Sequence, residues 1–89
     1  NLLNRMISLV DEVAFSSLDE RLARRLLGEA DAAGIVAKTH QQLAADLGSV
    51  REVISRHLGE WERAGWIATA RGSVRILDRP SLAAYRSSR

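Results

Sequence analysis

The chain contains no cysteine, which removes disulfides, thiolate chemistry and cysteine-ligated zinc or iron–sulfur sites. It also lacks any apolar run near the roughly eighteen residues a membrane-crossing helix needs, although 46% of its residues are hydrophobic. Its two histidines, His40 and His57, stand at no H-E-x-x-H or zinc-finger spacing, so a metal-ligand set is missing. There is no G-x-S-x-G elbow, P-loop or G-x-G-x-x-G, and no Ser or Asp is placed by a local motif beside a His base. Neither catalysis nor a bound cofactor is expected of this segment. The few aromatics, Phe15, Trp61, Trp66 and Tyr85, are spaced as core or strand residues and not as a stacking platform, which argues against a reader of single strands or RNA. The chain opens Asn1-Leu2-Leu3, without an initiator Met or a basic n-region. The expectation is a segment of a longer cytoplasmic protein that carries no signal peptide.

What remains is one small domain's worth of ordinary globular sequence, 89 residues with a formal charge of +2. The distribution of charge says more than its total. Through Ala37 there are four basic residues against six acidic, and from Lys38 onward nine against five. A basic second half suits contact with phosphates, and a solvated surface with scattered charge would read the same way.

Leu3, Met6, Val10 and Val13 follow a 3-4-3 spacing that matches a coiled-coil seam, with Leu2, Ile7 and Leu9 beside it. Residues 1–16 therefore read either as the end of a dimerisation helix and a hinge, or as a terminal helix folded on its own domain. Ser17 and Glu20 stand at capping-box spacing, so a new helix starts near Leu18, with Leu18, Leu22, Ala23, Leu26, Leu27 and Ala30 on one face and Gly34 as its stop. Ile35-Val36-Ala37 reads as one short strand.

Thr39 can cap the next helix, whose buried face is Leu43, Ala44 and Leu47, and Gly48 supplies the positive φ that a tight turn between crossed helices needs. The helix that follows, about 50–64, is expected to bury Val50, Ile54, Leu58 and Trp61. Its opposite side shows Arg51, Glu52, Ser55 and Arg56, side chains of base-reading type near the end that would enter a groove, although a solvated charged face has the same composition. His40 lies in the first turn of its helix, where a surface or phosphate-contact role is expected. His57 sits beside the buried stripe as a packing residue. After Gly65, Trp66–Thr69 and Val74–Leu77 read as two strands turning at Arg71-Gly72-Ser73. A hairpin behind a helix-turn-helix is a wing. Its Arg71, Ser73 and Arg75 are candidates for phosphate contact, or for plain solubility. Asp78 and Pro80 open a last short helix through Tyr85. The fold expected is mainly α with a small β-hairpin: a winged helix-turn-helix with a three-helix core and a wing over residues 17–89, preceded by the end of a dimerisation helix.

The run Thr39-His40-Gln41-Gln42-Leu43-Ala44, then Gly48-Ser49-Val50-Arg51-Glu52-Val53-Ile54-Ser55-Arg56, then Gly65-Trp66-Ile67 resembles the C-terminal DNA-binding domain of the bacterial Crp–Fnr transcription regulators. The likeness extends over essentially the whole chain. It implies sequence-specific binding of double-stranded DNA, with Arg51, Glu52, Ser55 and Arg56 on base edges and Ser55 matching the serine of the Fnr-like branch. In this scheme Arg56 pairs with guanine O6 and N7 while Glu52 accepts from cytosine N4. Thr39, Ser49 and the helix N-termini take phosphates. The resemblance further implies a homodimer on a pseudo-palindromic site whose half-sites share a TGA core, RNA polymerase as a candidate partner, and a sensor domain that this chain does not contain. His40 and Val50 depart from the Arg and Ser common in members related to the cyclic-AMP receptor protein. The alternative is a winged helix that serves as a protein-interaction module and reads no bases.

Overall fold

Each helix of the domain presents a narrow apolar stripe, and the fold is the arrangement that lets three such stripes and one small sheet face a common interior. The computed structural model describes residues 17–86. The seam residues Leu3, Met6, Val10 and Val13 lie outside the described residues. The elements in order are α1 (Leu18–Glu29), β1 (Ile35–Val36), α2 (His40–Leu47), α3 (Arg51–Arg63), β2 (Ile67–Ala70), β3 (Ser73–Ile76) and α4 (Arg79–Ala83). Among the described residues no helix is long and apolar enough to cross a membrane.

Helix α1 begins where expected, but the capping box does not form. Ser17 is the N-cap without a side-chain cap bond, because the Glu20 N–H it would satisfy donates instead to Asp19 Oδ1 at 3.0 Å. The end also differs: α1 stops at Glu29, five residues before Gly34. An Asp31 turn intervenes, in which Asp31 Oδ1 accepts from the N–H groups of Ala33 and Ile35 at 2.9 Å each. Gly34 (φ 80) serves the sheet and not the helix. A Cβ there would lie 3.1 Å from the Ile76 carbonyl oxygen, and the Gly34 carbonyl itself accepts from Ile76 N–H at 2.7 Å.

Helix α2 has the full capping arrangement. Thr39 Oγ1 accepts from Gln42 N–H at 3.0 Å, and Gln42 Oε1 accepts from Thr39 N–H at 2.8 Å. It ends at Gly48 (φ 68, ψ 36), with Ser49 N–H reaching back to the Ala44 carbonyl at 2.8 Å and Gly48 N–H to that of Ala45 at 3.3 Å. This pair of bonds closes a helix with a left-handed residue and turns the chain at once into α3. Val50 corrects the expected stripe. It is the N-cap of α3, extended at φ −115 and ψ 154, and it is 60% exposed and not buried. A residue outside the first helical turn does not share the direction of Ile54 and Leu58, so the four-residue period does not apply to it.

The two hairpin strands lie about one residue off the expected positions, and the turn is Arg71-Gly72 alone, since Ala70 pairs with Ser73. Leu77 lies beyond the strand and is exposed, and α4 ends at Ala83, short of Tyr85. The short strand β1 pairs antiparallel with β3, Ile35 opposite Arg75 and Val36 opposite Val74, so the wing is a three-stranded sheet in the order β1-β3-β2.

The core joins Leu22, Ala23 and Leu26 of α1 to Leu43, Ala44 and Leu47 of α2, Ile54, Leu58 and Trp61 of α3, and Val36, Ile67, Val74 and Ile76 of the sheet, with Leu82 closing one end. Fully burying each large aliphatic side chain in this set is worth about 1.5–3 kcal/mol. Tyr85 packs edge-on against Trp61 and Trp66, with ring centroids 5.3 and 6.0 Å apart, and its hydroxyl donates to Asp19 Oδ2, tying the far end of the chain to the start of α1.

Candidate nucleic-acid interface

Helix α3 hangs on the core by Ile54, Leu58 and Trp61, all buried, which turns Arg51, Glu52 and Arg56 outward. Arg51, Glu52 and Arg56 are exposed, and none of them forms an ion pair among the described residues. No side chain caps the N-terminus of α3, so its first-turn N–H groups, apart from those bonded to Val50, are open to an anion.

The hairpin brings its tip to the same place. Thr39, His40 and Gln41 at the start of α2, Arg51 at the start of α3, and Ala70, Arg71 and Gly72 at the wing tip line one open cleft. Two helix N-termini and two arginines therefore line one cleft, an arrangement whose electrostatics favour an anion. Thr39 Oγ1 only accepts in its cap, which leaves the hydroxyl proton free to be donated. Ser49, half-buried in the turn, spends its N–H on Ala44 and keeps only its hydroxyl. Ser73 and Arg75 do not line the cleft. They lie on the outer face of β3, opposite Ala70 and Ala68, with Val74 and Ile76 turned into the core between and beyond them.

Two other cations, Lys38 and Arg25, are already neutralised. Lys38 Nζ lies 2.7 Å from Glu29 Oε1 and is in contact with Asp46 Oδ2, while Arg25 Nη1 lies 3.1 Å from Glu29 Oε2. The hydrogen bonds to Asp46 and then Glu29 raise the Lys38 ammonium above its ordinary pKa, and those from Lys38 hold both carboxyl groups below theirs. Lys38 therefore adds to the basic half by count but clamps α1 to α2 by function.

Two contacts were not legible in the chain. His40 Nδ1 and Ser55 Oγ lie 2.7 Å apart, joining a residue expected at phosphate to one expected at a base. Fifteen positions and a helix turn separate them, and no periodicity reports such a pair. Glu62 Oε2 accepts from Thr69 N–H at 3.2 Å and Thr69 Oγ1 at 3.1 Å, holding the wing to the back of α3. The Gln42 half of the α2 cap was available in principle as T-x-x-Q.

A model of the Crp-like helix-turn-helix domain matches residues 20–85. The chain is 32% identical to the transcriptional regulator SdrP of Thermus thermophilus, an alignment that covers 90% of this chain and 44% of that protein. Among solved structures it is similar to a Crp/Fnr-family transcriptional regulator from the same organism (29% identity, TM-score 0.72, 91% of this chain and 46% of that one). A second Crp-family regulator from that organism aligns at 33% identity with a TM-score of 0.68, over 92% of this chain and 48% of that one. The chain thus spans less than half the length of these relatives.

Proposed function

Because the chain belongs to the Crp/Fnr family of transcription regulators as its Crp-like helix-turn-helix domain, we propose that it binds double-stranded DNA sequence-specifically, with α3 in the major groove. The observation that carries this reading is the cleft in which the wing tip meets the N-termini of α2 and α3, with Arg51 and Arg71 lining it and neither in an ion pair among the described residues. Arg51, Glu52, Ser55 and Arg56 take the base edges. Thr39, His40, Ser49 and Arg71 take phosphates, and Ser73 and Arg75 contact flanking backbone from the outer face of the wing. In the whole protein, a cytoplasmic regulator in this reading, two copies joined through Leu3, Met6, Val10 and Val13 present two such helices about 34 Å apart, matching successive turns of a pseudo-palindrome. RNA polymerase is the further partner this arrangement would serve.

Selection of bound sequences from a random duplex pool, followed by a salt titration on the winner, tests the reading. A defined half-site and an affinity that falls steeply with salt are expected. No duplex binding even at low salt would instead indicate a protein-interaction module.

A further inference from the structure

We propose that His40 is a positioning residue for base readout: it fixes which hydrogen-bonding role the Ser55 hydroxyl presents to DNA, so that Ser55 accepts from an exocyclic base amine. The inference rests on the proposed function and on one contact, His40 Nδ1 to Ser55 Oγ at 2.7 Å, between two partly buried side chains. A hydroxyl has one proton and two lone pairs, so its role toward one partner constrains what it offers another. His40 also lines the cleft at the N-termini of α2 and α3. A phosphate there draws the imidazole proton to Nε2, because only an N–H can meet an anionic oxygen. Nδ1 is then an acceptor, the Ser55 proton is spent on it, and Ser55 Oγ faces outward with lone pairs alone. The donors a major groove offers to such an oxygen are adenine N6 and cytosine N4. The chain of contacts is phosphate oxygen, His40 Nε2–H, His40 Nδ1, Ser55 O–H, Ser55 Oγ, base amine. Each link fixes the direction of the next, and every proton along it has an acceptor.

The test starts from the duplex selected by the full chain and deletes the amine at each position in turn, substituting purine for adenine and 2-pyrimidinone, which carries hydrogen at C4, for cytosine. One position is expected to lose about 2- to 12-fold in affinity, the range of one neutral hydrogen bond. His40→Ala and Ser55→Ala should each abolish the penalty at that same position, and the double variant should add nothing further there. His40→Gln, whose amide can accept from Ser55 while donating to a phosphate, should restore the penalty. Thermal melts check that the variants stay folded. If His40→Ala weakens all sequences equally and leaves the amine penalty intact, His40 is a phosphate contact only and the relay is overturned. A pool that yields no sequence preference overturns the DNA-reading function itself, an outcome distinct from preference without the relay.

Discussion

Arg56, Arg71 and Lys38 are all cationic, yet their surroundings assign them different consequences. Arg56 is exposed on the outward face of α3 and has no ion pair among the described residues. If it reads a guanine, Arg56→Ala should cost about 1–3 kcal/mol at the selected site and relax preference at one base pair. Fluorescence anisotropy on a panel of single-base variants checks this, and an unchanged preference would remove Arg56 from the readout. Arg71 stands at the wing tip, where the proposed function gives it a phosphate to contact and not a base. Arg71→Ala is expected to weaken all duplexes alike and to flatten the salt slope by about 1. Lys38→Ala should leave the salt slope where it was, because Glu29 and Asp46 already hold that ammonium. A slope that falls as much for Lys38→Ala as for Arg71→Ala would mean the ion cluster opens on DNA.

At the level of elements, the angle between α2 and α3 depends on one residue. Gly48 sits at φ 68 with two backbone N–H groups, its own and that of Ser49, turned back onto α2. A Cβ meets no neighbouring atom there, so the penalty of a substitution is purely conformational. Gly48→Ala is expected to destabilise the fold by about 1 kcal/mol or more, read as a lower urea midpoint at unchanged slope. Space-filling arguments would predict no effect. The wing depends on contacts of another kind: β1 on one edge of β3, β2 on the other, and Glu62 of α3 bonded to Thr69. These contacts set how close Arg71 stands to Arg51.

Across the whole domain, the Tyr85–Asp19 hydrogen bond joins groups 66 residues apart and seats α4 on α1. The bond to Asp19, then burial, push the Tyr85 hydroxyl up to about 12. A folded value raised above the unfolded one, about 10, means the contribution is whole below pH 10 and is lost as pH rises toward 12. Asp19 runs the other way. Burial pulls its carboxyl up, but the Ser17 hydroxyl beside it, then the Tyr85 hydroxyl and the Glu20 N–H, outweigh it and leave a net lowering. Its contribution is present above the ordinary value of 3.8 and fades as pH falls below it. Urea midpoints measured across pH should therefore drop at both extremes, and Tyr85→Phe should reduce both drops, the remainder of the alkaline one belonging to Lys38, whose ammonium is also raised. An identical pH profile in the variant would show that the contact adds nothing to stability.

What the sequence determined by itself is local: the Thr39 cap, the left-handed Gly48, the stripes of α1, α2 and α3, and the breakers around a two-stranded wing. Each is set by interactions within about one helical turn or one hairpin, so residue type and spacing suffice to report them. The match to a known helix-turn-helix pattern lies in that same local stretch. What only the tertiary structure decided is pairing across the chain. Strand β1 completes the sheet from the far side of the helix pair, Val50 turns outward because the helix begins after it, and Lys38 is withdrawn from the cationic surface by two carboxylates. His40 meets Ser55 because Gly48 folds α2 back across α3. These contacts depend on how whole elements cross, and a period of 3.6 or 2 along one element has no term for where its neighbour lies.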